Sequence, residues 1–312
     1  MYAIETRNLG RVYKTYTKKE GILNSLKGFY NRQYTEKVAL QDANIKIEAG
    51  KIVGLVGSNG AGKTTLLKML SGLIYPSSGE ALVLGYQPWR RESEFLKQIS
   101  ILLGQKNQLW WDITPRDSYS LLTKIYDLNE TAAKKTVNDL AHLLQCTHVL
   151  DTQLRRLSLG ERMKMEIIGS LLHTPKVLFL DEPTIGLDIV AQMTIRNFLA
   201  QYVVEHKPAI ILTSHYMDDI AELADQLLLI SQGQIVYDGS VEHFTQTTDL
   251  KKKLVYRIKN TSEEKEIVYN SQELPQILAE LARAGEVADL KVQEVDFEDV
   301  IHRFLATESR TR

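Results

Sequence analysis

Apolar positions along the chain follow two periodicities in turn. From Val38 to about Asp238, short β-branched runs alternate with longer stretches at helical spacing, the pattern of an α/β domain with a largely parallel sheet. The uninterrupted apolar runs Ile52–Val56, Ile99–Leu103, Val177–Leu180 and Ala209–Thr213 predict strands covered on both faces. Between Trp110 and Cys146 the period changes: Leu121, Leu122 and Ile125, then Val137, Leu140, Ala141 and Leu144, recur at helical spacing, and strand signals vanish. This predicts a helical subdomain, about residues 106–170, inserted into the sheet domain.

Beyond Gly239 the sequence turns more polar. A lysine run at Lys251–Lys253, a predicted turn at Asn260–Glu264, a helix over Glu273–Ala284 and a strand near Leu290–Val295 predict a small α+β domain. The expected division is therefore residues 1–240 and 241–312. No internal repeat or low-complexity tract appears.

Composition narrows the class. With 312 residues, 44% of them hydrophobic, the chain can fill its cores without a disulfide or metal staple. One cysteine, Cys146, excludes a disulfide framework within the chain and a Cys-rich metal site, and a reducing, cytosolic setting fits it best. The first residues lack a basic-then-apolar signal pattern, and no run approaches the roughly eighteen apolar residues of a membrane span. The expectation is a soluble chain. A net charge of −1 gives no global basic excess, so no nucleic-acid partner is expected.

The chemistry begins after the first apolar strand. Gly57, Ser58, Asn59, Gly60, Ala61, Gly62, Lys63 and Thr64, followed by Thr65 and a helical Leu66–Leu70, match the G-x-x-x-x-G-K-[ST] phosphate loop in its strand-loop-helix context. Glycines let backbone N–H groups curl around a phosphate, and the following helix turns its positive end to the same anion. Lys63 supplies charge to the β- and γ-phosphates, and Thr64 a hydroxyl to Mg²⁺. Farther on, Val177–Leu180 ends in Asp181 and Glu182, two carboxylates at the carboxyl edge of a buried strand, where open α/β sheets bind ligands. Asp181 suits Mg²⁺, and Glu182 suits the general base that activates water. A third apolar strand, Ile211–Thr213, runs through Ser214 into His215, whose reading alone leaves structural and catalytic roles open.

One stretch, Arg155–Ile168, starts as a helix: Ser158 followed three residues later by Glu161 is a capping box, and Met163, Ile167 and Leu171 continue an apolar stripe. A helix N-terminus can also face an anion. Cap and ligand site are compatible readings.

Taken in order, these segments resemble the ATP-binding cassette of ABC transporters over about residues 1–240. Gly57–Thr64 resembles the Walker A loop, Gln105 the Q-loop glutamine, Leu157–Glu161 the signature motif, and Val177–Glu182 the Walker B strand. Gly186–Asp188 resembles the D-loop and His215 the switch histidine. The runs Gly104–Asp112 and Asp181–Asp188 look most like ATPase subunits of ABC-2-type export systems.

The resemblance implies an ABC-type P-loop fold and an ATPase that works as a dimer on the cytoplasmic face of the membrane, beneath separately encoded ABC-2-type permease subunits. It implies that Lys63, Gln105, Glu182 and His215 serve hydrolysis, and that Thr64, Gln105 and Asp181 attend to Mg²⁺. ATP would lie between one chain's Gly57–Thr65 and the partner copy's Ser158, Gly160 and Glu161, with Asp188 also among the ATP-binding residues. The signature departs from Leu-Ser-Gly-Gly-Gln at Leu159 and Glu161, and a carboxylate near a triphosphate is unfavourable unless held aside. Arg155, Arg156, Arg162 and Lys164 are its sequence neighbours.

An early aromatic stacks on adenine in the family. Tyr13 occupies that place, with Tyr16 and Tyr34 as rivals, since the stretch 14–37 reads as an insertion. Residues 11–37 hold seven Lys or Arg against two Glu, with Leu23, Leu26 and Tyr30 at helical spacing. A solvated excursion and a membrane-facing basic segment both fit. Trp110 and Trp111 fit either the subdomain core or a surface for the permease.

Rival functions are a cassette in DNA repair or on ribosomes, a regulatory nucleotide-binding partner, and a P-loop GTPase. Against them stand the absence of a coiled-coil insertion or zinc cysteines, the presence of Glu182 with His215, and the lack of an Asn-Lys-x-Asp segment. Nothing in the sequence names the cargo.

Overall fold

The computed structural model describes residues 2–16, 34–104, 107–214, 216–247, 252–258, 264–269, 273–284, 287–293, 301 and 304. Two units organise the chain, Met1–Asp238 and Gly239–Arg312.

In the first unit, β1 (Tyr2–Tyr16) is the spine of an antiparallel sheet, pairing with β2 (Tyr34–Ala43) and β3 (Lys46–Glu48). After β4 (Ile52–Val56) and α1 (Lys63–Leu70), β5 (Ser78–Val83) joins the same sheet along β1. The short α2 (Ser93–Leu96) leads to β6 (Ile99–Leu103). Three inserted helices follow, α3 (Pro115–Ile125), α4 (Glu130–Leu143) and α5 (Leu159–Leu171). The chain then alternates through β7 (Val177–Asp181), α6 (Ile189–His206), β8 (Ala209–Thr213), α7 (Met217–Leu223), β9 (Gln226–Ser231) and β10 (Gln234–Ser240).

These strands form a second sheet in the order β10-β9-β4-β8-β7-β6, parallel from β9 to β6. Every residue of β4 and β8 is buried, as uninterrupted Val, Ile and Leu runs require of strands covered on both faces. The core joins this sheet to the antiparallel one through Ile4, Leu9, Leu40, Leu66, Leu70 and Phe179.

Two expectations need correction. The stretch 14–37 is not wholly an insertion: Lys14, Thr15 and Tyr16 pair with Glu36, Thr35 and Tyr34, so both its ends belong to the β1–β2 ladder. Leu23, Leu26 and Tyr30 lie outside the described residues. In α3 the apolar positions Leu121 and Ile125 are 45% and 65% exposed, and the buried face is Ser118, Tyr119 and Thr123. Two of its three hydroxyls are satisfied: Thr123 Oγ1 donates to the Tyr119 carbonyl, and the Tyr119 hydroxyl to the Met165 carbonyl at 2.9 Å, while the buried Ser118 hydroxyl has no hydrogen-bond partner among the described residues. In α4 the expected stripe of Val137, Leu140 and Ala141 is buried, with Leu144 beyond it.

The second unit holds α8 (Val241–Thr247), β11 (Lys252–Ile258), β12 (Glu264–Tyr269), α9 (Leu274–Ala284) and β13 (Val287–Gln293). Its antiparallel sheet has the order β12-β11-β13. The strand expected near Leu290–Val295 starts earlier, at Val287; of the turn expected at Asn260–Glu264, residues 260–263 lie outside the described residues and Glu264 begins β12.

Candidate functional site

The loop from β4 to α1 is shaped by what surrounds its glycines. A Cβ on Gly57 would sit 2.2 Å from the Ile230 carbonyl oxygen, and one on Gly62 2.4 Å from that of Ala39, at a φ of 118°. Only glycine fits either position without moving backbone. The Ala61 N–H closes the turn onto the Ser58 carbonyl at 3.0 Å, and Gly233 N–H holds the Ala61 carbonyl at 2.9 Å. Ser58, Asn59 and Gly60 stay exposed at the mouth, while Ala61, Gly62 and Lys63 are buried.

Gly62 caps α1 without a side-chain hydrogen bond. The first-turn N–H groups, which have no intrahelical acceptor, therefore meet no capping side chain there. Such a cradle fits a phosphate. Lys63 Nζ lies over the loop, donating to the carbonyls of Gly57 (2.6 Å) and Ser58 (3.2 Å). Burial lowers its pKa below the ordinary lysine value, while Glu182 and Asp181 pull it back up. A cation held by neutral carbonyls is ready to exchange them for phosphate oxygens.

The acidic edge of β7 meets the loop. Asp181 accepts from Thr64 Oγ1 at 2.9 Å through Oδ2 and from Thr213 Oγ1 at 2.8 Å through Oδ1. Thr64 and Asp181 are thus side by side. Among the described residues no cluster of three or more His, Cys, Asp or Glu could cage a metal. The pair suits a hard cation that keeps most of its ligands as water and substrate phosphates, as Mg²⁺ does.

Glu182 leaves the strand in the left-handed region, at φ 57°. A non-glycine residue there is strained and is held by its surroundings. The restraint is local: the Glu182 N–H donates to Thr213 Oγ1 at 2.9 Å and to the Thr213 carbonyl at 3.1 Å. Gly104 packs beneath, its N–H on the Asp181 carbonyl at 2.8 Å.

The start of α5 is a complete capping box. Glu161 Oε2 accepts from the Ser158 N–H (2.9 Å) and hydroxyl (2.7 Å), and the Glu161 N–H donates to Ser158 Oγ at 3.3 Å. These bonds, the Ser158 hydroxyl first, hold the Glu161 carboxyl below its ordinary pKa. His148 Nε2 lies 3.5 Å from Glu161 Oε1. Two of the basic sequence neighbours are engaged elsewhere: Arg155 pairs with Asp112, and the Arg162 guanidinium lies over the Trp111 ring. Gly160 faces the start of α6, where an added Cβ would stand 3.1 Å from Ala191 Cβ and 3.9 Å from Asp188 Oδ2. Asp188 caps α6, accepting from the Ala191 N–H at 2.9 Å.

The structure therefore brings Lys63, Thr64, Asp181 and Glu182 together. Ser158, Gly160 and Glu161 stand with Asp188 in a second cluster, and among the described residues no hydrogen bond or ion pair joins it to Gly57–Thr64. Tyr13 sits on β1 opposite Lys37, half-buried, with the Arg11 guanidinium 4.7 Å from its ring centre. Thr65 continues α1. Gln105 and His215 lie outside the described residues, as do the side chains of Tyr16 and Tyr34.

Sequence reasoning missed several supports. Thr213 bridges Asp181 and Glu182, and its only signal is being the polar end of an apolar strand. Glu166 is buried and accepts from the Gln108 and Leu109 N–H groups at 3.1 and 3.3 Å, anchoring the segment after Gln105. Desolvation raises its pKa. Beside it Gly104, Asn107, Trp111, Leu159 and Arg162 line a groove of about 370 Å³. Trp110 and Trp111 are 42% and 41% exposed, which removes the core-filling reading.

Comparison with known proteins gives the family. Residues 40–185 match the profile of the family described as ABC transporter. ABC transporter ATP-binding protein NatA of Bacillus subtilis is 33% identical over 204 residues, 65% of this chain and 82% of its own. The chain belongs to the ABC transporter ATP-binding proteins. As a member of that family it is a nucleotide-binding ATPase, and hydrolysis powers a permease carried by other chains. Bacitracin transport ATP-binding protein BcrA of Bacillus licheniformis is 28% identical over 212 residues, 68% of each chain. Among solved structures, a dimeric ATP-binding cassette in a post-hydrolysis state, bound to ADP and Pi, superposes with a TM-score of 0.64 at 18% identity, over 76% of this chain and 98% of that one. At that identity the likeness shows the fold. No described helix of this ABC ATPase is long and apolar enough to cross a membrane.

Proposed function

We propose that this ABC ATPase works as a homodimer on the cytoplasmic face of the membrane and drives export through ABC-2-type permease subunits. The reading rests on one constellation: Lys63 over the loop mouth, Thr64 and Asp181 side by side, and Glu182 held in place by Thr213. Gly57–Thr65 hold the triphosphate through backbone N–H groups and the α1 terminus. Thr64 and Asp181 hold Mg²⁺, assisted by Gln105, and the ion supplies charge neutralisation of the phosphates when bound. Lys63 draws charge from the β- and γ-oxygens. Glu182 accepts a proton from the attacking water, which His215 and Gln105 position.

Ser158, Gly160 and Glu161 complete the site of the partner copy, with Asp188 at the seam. Their separation from Gly57–Thr64 within one chain supports that assignment, and a solved cassette of the same fold is dimeric. Tyr13 is assigned to adenine. Export is supported by the likeness to a bacitracin transport ATP-binding protein and by the ABC-2-like runs Gly104–Asp112 and Asp181–Asp188. The groove beside exposed Trp110 and Trp111 supports a permease segment docking there.

Ser158→Arg tests the shared site. ATP turnover should vanish while binding of ATP by a single subunit stays within about twofold of the parent. Equal loss of both would show that the substitution only unfolds α5 and would remove the signature from the site.

A further inference from the structure

Behind Glu182 lies a buried network that the proposed mechanism does not use. Asp219, on α7, is 0% exposed, and its Oδ2 accepts two hydroxyl protons, from Thr184 Oγ1 and Ser214 Oγ, each at 2.6 Å. Its Oδ1 faces Arg196 Nε of α6 at 3.2 Å, and Arg196 also pairs with Glu222 at 2.9 Å. Thr184, Ser214 and Arg196 are themselves at most 8% exposed. A charge this deep needs compensation: two hydroxyl hydrogen bonds on Oδ2 and the guanidinium ion pair supply it, although the facing Arg196 Nε and Asp219 Oδ1 make no hydrogen bond.

What those partners carry gives the network its meaning. Thr184 belongs to the turn directly after Glu182, closed by the Ile185 N–H on the Glu182 carbonyl (3.3 Å) and the Leu187 N–H on the Thr184 carbonyl (3.2 Å). That turn must hold Glu182 at its strained φ of 57°. Ser214 continues β8 just past Thr213, the residue that receives the Glu182 N–H. Its Oγ also accepts from the Tyr216 N–H at 2.9 Å, and the Asp219 N–H donates to the Tyr216 carbonyl at 3.1 Å. One carboxylate thus ties the segment after Glu182 to the strand end that restrains its N–H. Arg196 adds α6, the helix capped by Asp188.

We infer that Asp219 is a positioning residue for hydrolysis: it holds the turn at Thr184 and the β8 end at Ser214 in the register that aims Glu182 at the attacking water. The inference rests on the assignment of Glu182 as base. Asp219 is fully buried and held by Thr184, Ser214 and Arg196 rather than by the Gly57–Thr64 loop, so its loss acts on the rate of turnover and leaves ATP affinity in place. Displacing a catalytic group by about 1 Å costs on the order of 10²-fold in rate.

The test compares full-length parent, Asp219→Ala, Ser214→Ala, Thr184→Val and Glu182→Gln, plus the Asp219→Ala and Glu182→Gln double variant. Steady-state hydrolysis gives kcat, and fluorescent-nucleotide titration gives the ATP Kd. Asp219→Ala should lower kcat about 10²-fold with Kd within about twofold, and Ser214→Ala and Thr184→Val about tenfold each. On the Glu182→Gln background, Asp219→Ala should lower turnover no further, because the group it positions is already gone. An unchanged kcat, a Kd that worsens in step with kcat, or full additivity with Glu182→Gln would overturn the inference. If Asp219→Ala does not fold, Ser214→Ala and Thr184→Val decide it by the same criteria. If Glu182→Gln hydrolyses ATP at the parental rate, the base assignment itself fails and takes the inference with it. An inactive Glu182→Gln beside fully active Asp219 and Ser214 variants rejects the inference alone.

Discussion

Glu161→Gln separates the two jobs of the signature helix. The substitution keeps an oxygen that can accept from the Ser158 N–H, so the capping box survives. What is lost is charge: the bonds of 2.9 and 2.7 Å from Ser158 weaken from charge-assisted to neutral, and the favourable placement of an anion at a helix N-terminus disappears. Together these are worth about 0.5 to 1 kcal/mol at a partly exposed position. In a unit the size of Met1–Asp238 that corresponds to a Tm lower by about 1 to 4 °C. Because the folded Glu161 pKa is depressed, its stabilising contribution is fully present above the unfolded carboxyl value and is lost as pH falls through the folded one. The Tm gap between parent and variant, followed by calorimetry, should therefore be widest near neutrality and close as the buffer is taken below about pH 4.5. ATPase assays on the same samples test the second job proposed for it: if the carboxylate faces the partner copy's γ-phosphate and slows hydrolysis, its removal should raise turnover. A gap that persists unchanged into acid, or a variant as stable as the parent at pH 7, would refute the electrostatic account of the cap. No rise in turnover would refute Glu161 as a brake.

Two further outcomes follow from the site's packing. In Gly104→Ala the new methyl would lie 2.4 Å from the Asp181 carbonyl oxygen and 2.7 Å from that of Glu182; relief must displace the acidic pair, costing about 1 to 3 kcal/mol of stability. Turnover should fall more than ATP affinity, and a fully active, equally stable variant would contradict that packing. Thr64→Ala deletes the hydroxyl 2.9 Å from Asp181 and should raise the Mg²⁺ concentration needed for half-maximal hydrolysis about tenfold. An unaltered Mg²⁺ titration would take Thr64 out of the metal site.

Much of the nucleotide half was readable because its demands are local. Gly57, Gly62 and Lys63 must occur at fixed spacing for a loop to pass under the Ile230 and Ala39 carbonyls, and the strands β4, β7 and β8 are apolar runs because both faces are covered. The hidden parts depend on partners distant in sequence. His148 meets Glu161 across two elements, and Asp219 meets Thr184 across thirty-five positions. The buried face of α3 was misassigned because hydroxyls with internal acceptors pack as core, which a count of apolar residues cannot register. Strand β1 was missed because exposed charges such as Arg7 interrupt its apolar positions, and its register needs three partners to become visible.

The central claim, ATP hydrolysis by Glu182 at a site closed by a second copy, is met most directly by Glu182→Gln studied with Mg-ATP in a column-sizing experiment and an ATPase assay. The variant should bind ATP, elute as an ATP-dependent dimer, and hydrolyse about 10² to 10⁴ times more slowly, roughly 3 to 5 kcal/mol in activation free energy. Parental turnover, or a monomer that binds ATP without ever dimerising, would contradict the account.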